Sequence, residues 1–172
     1  LGFLLLKAHA LGFSLTDTVL SYALFNTTCV IAAPLVGRLG DRVGRGRIVM
    51  LGYTLYGLIN LWLVFPASRW QVVALFAVYG LFYAIEESQT KAYIADLEPE
   101  RRATAIGIYN FIAGSLYLPA SLAAGALWTV APSLAFALAA LLSLGAVVAF
   151  AALRQRWAVP GTVDARKSKN RS

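Results

Sequence analysis

Three ionisable side chains lie inside a long apolar run of the chain, where charge is costly. Glu86, Glu87 and Lys91 all fall within residues 71–95. Counted back from Asp96 at about 1.5 Å per residue, Lys91 would lie roughly 7–8 Å and Glu87 roughly 13–14 Å inside a membrane-spanning helix. An ionised group at that depth costs at least about 2.5–3.5 kcal/mol, so these groups are expected to face protein or water and to be paired.

Glu87 and Lys91 are four residues apart with the acid first, which is the favourable order for an ion pair on one helix face. One interpretation is a structural ion pair between packed helices. The other is a functional carboxylate that binds a cationic group or takes up a proton when a conformational change separates the pair. Glu86 points about 100° away from Glu87 and is the better candidate for an unpaired, protonatable acid.

Polar side chains of other apolar runs could complete a cavity around these charges. Tyr83 stands one helical turn before both glutamates. The other candidates lie on faces of two further helices at three- and four-residue steps, and they are Asn26, Asn110 and Tyr117. Each could instead donate an interhelical hydrogen bond worth about 0.6 kcal/mol. Pro119, in the middle of a run, predicts a kink or break of the kind found in site-forming helices.

The runs that carry these residues are typical of membrane-spanning helices. The chain has 172 residues, of which 59% are hydrophobic and 13% charged, whereas a soluble domain carries roughly 25% charged residues. The mean hydropathy is +0.69. Blocks of about 20 apolar residues match the thickness of the hydrocarbon core. We predict an all-α membrane protein with the truncated end of one helix at 1–8 and five complete spans at 18–36, 48–65, 71–95, 103–128 and 133–153.

The basic residues gather at one end of the predicted spans. If the connection at 37–47 is cytoplasmic, then that side, with the link at 96–102 and a basic tail at 154–172, holds 12 Lys and Arg, against Lys7 and Arg69 on the other side. The positive-inside rule therefore predicts a cytoplasmic C-terminus. This clustering explains the net charge of +7 and argues against nucleic acid as a partner. Membrane lipid is the partner that we expect for the spans and the tail.

The apolar runs lack the residues that most enzymes and metal sites require. His9 and Cys29 are the single histidine and cysteine of the sequence. Neither an H-E-x-x-H zinc motif nor a G-x-x-x-x-G-K-[ST] phosphate loop occurs. We therefore expect no enzyme activity, no catalytic residue, no metal and no cofactor.

The connection at 37–47 carries the most information in the sequence. It reads G-R-L-G-D-R-V-G-R-G-R and places four arginines and one carboxylate among glycines, which allow a tight turn and close backbone approach. Asp41 can pair with a neighbouring arginine or lie against the positive end of a helix. A merely basic loop would need neither the glycines nor the embedded acid.

This run resembles the cytoplasmic signature of the major facilitator superfamily, of the form G-x-L-x-D-R-x-G-R-[RK]-x. The departure is Gly46, where that family commonly has a basic residue, and Arg47 follows one position later. The resemblance implies a conformational gate in which Asp41 pairs with its own arginines and with the start of a later helix near Ala103. The residues of the implied gate are Gly37, Asp41, Arg42, Gly44, Arg45 and Arg47.

The chain up to Leu153 resembles the C-terminal half of such a transporter, and the segment at 87–128 carries much of this likeness. An N-terminal half that ends in the central loop is the alternative. The resemblance implies half of a twelve-helix bundle, with the missing six-helix half as its partner. It also gives Glu87 a slight preference over Glu86, because a glutamate stands at that position in similar sequences.

The function that the resemblance implies is secondary active transport of a small solute by alternating access, with protons as the candidate coupling ion. The alternative is a non-transporting membrane sensor or assembly protein that retains the fold. Symport, antiport and uniport stay open, and so does the substrate. Short loops and alanine-rich helices favour a multi-pass protein of the bacterial plasma (inner) membrane.

Overall fold

The computed structural model describes residues 1–65 and 68–157, with side chains up to residue 153. Within this range all regular structure is helical. Seven α-helices follow one another, and a π-helical turn at Glu86–Thr90 joins the fourth to the fifth. The helices are Gly2–Ala10 (α1), Leu15–Val43 (α2), Arg45–Val64 (α3), Arg69–Ile85 (α4), Lys91–Leu97 (α5), Arg102–Val130 (α6) and Pro132–Trp157 (α7).

Four of these helices are long and apolar enough to cross a membrane: α2, α3, α6 and the part of α7 up to Leu153. The predicted third span, 71–95, is divided into α4 and α5 by the π-helical turn. Helical dihedral angles continue on both sides of that turn, so residues 69–97 form one continuous helix. The prediction of an all-helical membrane protein is confirmed for the described residues. The predicted tail at 154–172 begins inside α7, and its residues 158–172 lie outside the described part.

The prediction of a loop at 37–47 is wrong. α2 continues to Val43 and α3 begins at Arg45, so the single residue Gly44 separates the two helices. Its backbone angles, φ 102° and ψ 125°, are strained for any residue other than glycine. The helices extend past the apolar blocks because hydropathy marks only the part of a helix inside hydrocarbon, whereas leucine and arginine favour helix on either side of that boundary.

Two serines set the starts of α2 and α4 through reciprocal hydrogen bonds. The Ser14 hydroxyl accepts from the Asp17 amide at 3.1 Å, and the Asp17 carboxylate accepts from the Ser14 amide at 3.0 Å. Ser68 and Gln71 form the same arrangement. Each capping box satisfies amide groups that have no partner in the first turn of a helix. These caps place the helix starts two or three residues before the predicted positions 18 and 71.

Glycines allow the most extensive helix packing, which is that of α2 along α4 and of α3 along α7. An added Cβ at Gly80 would lie 2.5 Å from the carbonyl oxygen of Phe25, and one at Gly57 would lie 2.7 Å from the side chain of Leu144. Real Cβ contacts are longer than either distance. Such close approach of backbones is how helices associate in lipid, where the hydrophobic effect does not drive them together.

α6 is the least buried of the long helices. It packs along α5 and α7, yet none of its residues is buried. Pro119 lies inside it without interrupting it, as Pro34 lies inside α2. The predicted break at Pro119 is therefore absent, since a membrane helix tolerates proline when local adjustments satisfy the freed carbonyl.

We expect Gly44→Ala to destabilise the protein, because alanine at a φ of 102° carries about 1–3 kcal/mol of backbone strain. The measurement is the free energy of unfolding of the purified protein in mixed micelles. The matched control is Gly37→Ala, whose backbone is helical and whose added Cβ meets nothing within 4 Å. Equal unfolding free energies for the two variants would contradict the assignment of Gly44 as a glycine-dependent break.

Candidate functional site

Arg45, the first residue of α3, joins three helices at their basic end. Its Nη2 donates to Asp41 Oδ1 at 3.1 Å, and its Nη1 donates to Asp96 Oδ1 at 3.1 Å and to the Ala92 carbonyl at 3.2 Å. Asp41 lies in the last turns of α2, and Asp96 lies near the end of α5. The Arg45 side chain is about two-thirds buried, while both aspartate side chains are more than half exposed. We call these residues the Arg45 network.

The Arg45 network differs from the expected gate in its second contact, which was expected to be the start of the helix near Ala103. Asp41 pairs with one of its own arginines, Arg45, but its side chain makes no hydrogen bond to the start of α6 among the described residues. Asp96 supplies the second carboxylate instead. The sequence signal for Asp96 was its place at the end of the third span. Its partner could not be read, because the two residues are 51 positions apart.

The remaining residues of the expected gate lie around the Arg45 network. Gly37 is within α2 and Gly44 forms the break between α2 and α3. Arg42 and Arg47 are exposed, and within the described part of the chain neither takes part in an ion pair. Arg42 lies in the last turn of α2, where a cation is favoured by the helix dipole.

The second charge cluster lies at the π-helical turn, on the same helix as Asp96. The Nζ of Lys91 forms an ion pair with Glu87 Oε1, and both side chains are about half exposed. Glu86 Oε1 accepts a hydrogen bond from the Tyr109 hydroxyl of α6 at 3.2 Å. Glu86 and Glu87 thus point to different partners, as their adjacent positions require. The cluster of Glu86, Glu87 and Lys91 carries a formal charge of −1.

Tyr109 is a site residue that the sequence analysis missed. Its hydroxyl, on α6, donates to a carboxylate of the fourth helix. Among the described residues Glu86 forms no ion pair, so its role as the protonatable acid stays a prediction, but it does have a hydrogen-bond donor in Tyr109. The sequence gives only a weak indication that Tyr109 contacts Glu86. Helical periodicity shows which residues share a face of α6, but not which face lies against the fourth helix.

The other candidate residues take different positions. Tyr83 packs its ring edge-on against Phe25 at 5.6 Å and remains 42% exposed, so it lies beside the glutamates on the same helix. Asn26 donates to the Tyr22 carbonyl of its own helix at 2.9 Å. Asn110 is exposed, and Tyr117 is 66% exposed on α6. Among the described residues, Asn26, Asn110 and Tyr117 form no hydrogen bond with either glutamate.

A separate ion pair joins the first turns of α2 and α4, at the end of the helices away from the Arg45 network. Arg69 Nη2 donates to Asp17 Oδ2 at 3.1 Å and to the Gly12 carbonyl at 3.0 Å, and the guanidinium lies 5.0 Å from the centre of the Phe13 ring. A cavity of about 450 Å³ opens beside this pair. The helix 69–97 is therefore held by an arginine at each end. Among the described residues, no group of three His, Cys, Asp or Glu side chains could hold a metal ion.

The sequence profile of the Major Facilitator Superfamily matches residues 1–172. The chain belongs to this family. An uncharacterised MFS-type transporter of Methanocaldococcus jannaschii is 36% identical over 124 residues, which is 72% of this chain and 31% of that protein. The chain thus spans about a third of the length of this relative. No solved structure matches the chain. Membership in the superfamily makes the chain an integral, multi-pass membrane protein of a transporter family.

We expect a double-mutant cycle on Arg45→Gln and Asp96→Asn to give a coupling energy of about 0.2–1 kcal/mol, because exposed ion pairs are weakened by solvent. The measurement is the unfolding free energy of the wild type, both single variants and the double variant. Glu98→Gln, an exposed acid just after α5, replaces Asp96→Asn in the control cycle. Additive effects of Arg45→Gln and Asp96→Asn would contradict the ion pair.

Proposed function

We propose that the chain is one six-helix half of a secondary active transporter that moves a small solute across the plasma membrane by alternating access. Five complete spans, with residues 69–97 as the third, and the end of a sixth helix at α1 would form this half of a twelve-helix bundle. The family profile over the whole chain and the transporter name of the Methanocaldococcus jannaschii relative support this proposal.

One observation carries the proposal: a single helix, 69–97, contributes residues to both charge clusters. Glu86 and Glu87 lie near its middle, and Asp96 lies at its basic end. A solute or proton that changes the charge at the glutamates therefore acts on the helix that Arg45 holds. This arrangement links a site inside the membrane to a closure at its surface, which is the property that alternating access needs.

The Arg45 network is well suited to a gate on the basic side. Separation of α5 from α3 breaks the hydrogen bonds of Arg45 to Asp96 and to the Ala92 carbonyl. Because these groups are partly exposed, the ion pair contributes only about 0.2–1 kcal/mol. A closure of this strength holds one state without trapping the protein in it. Arg69 with Asp17 supplies a comparable contact between α2 and α4 at the other end.

The proposed orientation places the Arg45 network and the C-terminus in the cytoplasm, because the basic residues gather at that end. In a Cys29→Ser background, we expect a membrane-impermeant maleimide to label Trp70→Cys in intact cells and Val43→Cys only after permeabilisation. Both positions are exposed, at 83% and 42% respectively. The reverse labelling pattern would overturn the orientation and with it the cytoplasmic gate.

Protons are the proposed coupling ion, and the cluster at the π-helical turn is the proposed site. Glu86, Glu87 and Lys91 together carry one uncompensated negative charge, which is costly at the depth of the membrane interior. A proton or a cationic solute would neutralise it. The movement of one proton through 100 mV yields about 2.3 kcal/mol, which corresponds to a solute gradient of more than tenfold.

The transport test is counterflow of a panel of solutes in proteoliposomes that contain the full-length natural protein. For a solute that exchanges, we expect Glu86→Gln to lower accumulation driven by a pH gradient at least tenfold while counterflow at equal pH continues, because exchange needs no net proton movement. We expect Glu87→Gln to act in the same direction and to weaken solute binding through the loss of its pair with Lys91.

The matched control for both variants is Glu98→Gln, which removes an exposed acid of the link after α5 and is expected to transport as the wild type does. Gradient-driven accumulation that survives in both Glu86→Gln and Glu87→Gln would overturn the proton site while leaving transport intact. Absence of counterflow for every solute would overturn transport and favour the sensor or assembly role.

A further inference from the structure

The π-helical turn contains Glu86 and Glu87 and lies before Asp96 on the helix 69–97. Glu86, with its donor Tyr109, stands at its start, and Asp96, with its donor Arg45, lies beyond its end. A single π-helical turn inserts one residue into an α-helix. Each later residue is therefore rotated by about 100° from its place in an uninterrupted helix. The turn decides which face of α5 meets the rest of the protein.

Side chains on both sides of the turn rest on α3. An added Cβ at Gly52 would lie 2.6 Å from Ile85, and one at Gly46 would lie 3.1 Å from Tyr93. In an uninterrupted α-helix, side chains eight residues apart point about 80° apart, and one inserted residue reduces this angle to about 20°. The π-helical turn thus sets the register in which Tyr93 packs on α3.

Gln89 fixes the turn against α2. Its side chain is 3% exposed and lies on Gly40, where an added Cβ would overlap the amide oxygen of Gln89 and lie 2.7 Å from its Cδ. Gly40 is one turn before Gly44 and occupies a position that the family signature leaves open. Neither residue was expected to take part in the gate, yet their contact joins the turn to the helix that carries Asp41.

The turn also leaves two buried polar atoms without a hydrogen-bond partner among the described residues, Gln89 Oε1 and Thr90 Oγ1. Buried polar groups are nearly always hydrogen-bonded, so this register is unfavourable locally and is held by packing from α2 and α3. A locally unfavourable conformation that the surroundings impose is typical of segments that change state during function.

We propose that Glu86–Thr90 is a register switch and that Gln89, seated on Gly40, is the residue that positions it. This inference rests on the proposed transport function. In the described state the turn is π-helical and Arg45 holds Asp96. In the other state the turn has α-helical hydrogen bonds, the segment after it is rotated by about 100°, and Asp96 has left Arg45.

The charges at the turn bias this switch. Glu87 lies in the turn, and Lys91 is the first residue after it, so their ion pair joins the turn to the start of α5. Glu86 is tied to α6 through Tyr109. Neutralisation of either acid weakens a contact that holds the turn in place, and the rotation of α5 then opens the Arg45 network. Charge at mid-membrane would in this way control a contact at the surface.

The test is the distance between nitroxide labels at Val43 and Leu97, the last residues of α2 and α5, measured by pulsed electron paramagnetic resonance on the full-length protein in nanodiscs. Both positions are exposed, and Cys29→Ser supplies the background. We expect Gly40→Ala to lower the population of the short distance at least threefold, because the added methyl displaces Gln89. Gln89→Ala is expected to lower this population as well, because the contact of Gln89 with Gly40 is lost.

The decisive variant is the double change Gly40→Ala with Gln89→Ala, in which the methyl group fills part of the space that the amide leaves. Its short-distance population is expected to lie closer to the wild type than that of either single variant. A double variant worse than both would show that Gly40 and Gln89 do not act through their contact, and a merely structural role would lower stability while leaving the label distance unchanged. Gly57→Ala is the matched control, because its Cβ would lie 2.7 Å from the side chain of Leu144 on α7, far from the turn, and it is expected to leave the distance unchanged.

The outcomes separate this inference from the transport proposal. Unchanged distances in Gly40→Ala and Gln89→Ala, or a double variant worse than both, overturn the register switch even if counterflow is normal. Should Gly40→Ala fail to fold, the comparison of Gln89→Ala with the double variant still decides. Shifted distances with compensation, in a protein that exchanges no solute, would support the switch and reject transport.

Discussion

The absence of water inside the hydrocarbon core is the constraint on which the rest of the structure depends. Every backbone group there needs an internal partner, and the described residues are accordingly helical. Polar side chains follow the same rule: Ser21, Thr28 and Thr54 each donate to a carbonyl four residues earlier in their own helix. Ionisable groups are paired or face a tyrosine. The buried exceptions among the described residues, Gln89 and Thr90, both lie in the π-helical turn. Polar groups are therefore less well satisfied there than elsewhere in the described helices.

In the proposed mechanism, the two charge clusters differ in energy. An uncompensated charge at mid-membrane costs at least about 2.5–3.5 kcal/mol, whereas a partly exposed ion pair such as Arg45 with Asp96 contributes about 0.2–1 kcal/mol. A change of charge at Glu86 or Glu87 is therefore large enough to break the Arg45 network. Breakage of the network is too weak to force ionisation at the glutamates. In the proposed mechanism, the charge state of the membrane cluster would therefore decide whether the Arg45 network stays closed.

Much of the fold could be predicted from the sequence, because hydropathy and charge distribution report directly on the hydrocarbon boundary. The positions of the long helices and the pairing of Glu87 with Lys91 follow from local patterns. The contact of Asp96 with Arg45 does not, since it joins residues 51 positions apart through the packing of α5 on α3. Nor does the continuation of α2 to Val43, because hydropathy falls where the helix leaves the hydrocarbon and helix propensity is too weak a signal to show that it goes on.

The π-helical turn was hidden for a different reason. Each residue of E-E-S-Q-T is compatible with an α-helix, so no letter marks the inserted position. Helix faces deduced from periodicity hold for residues before Glu86, but after Thr90 they are displaced by about 100°. The same displacement limits any transfer of residue roles from a relative: positions in α5 correspond only if the relative has the same extra residue in this turn. A substitution that restores α-helical hydrogen bonding in the turn would change the packing partners of the α5 side chains, although none of those side chains is itself replaced.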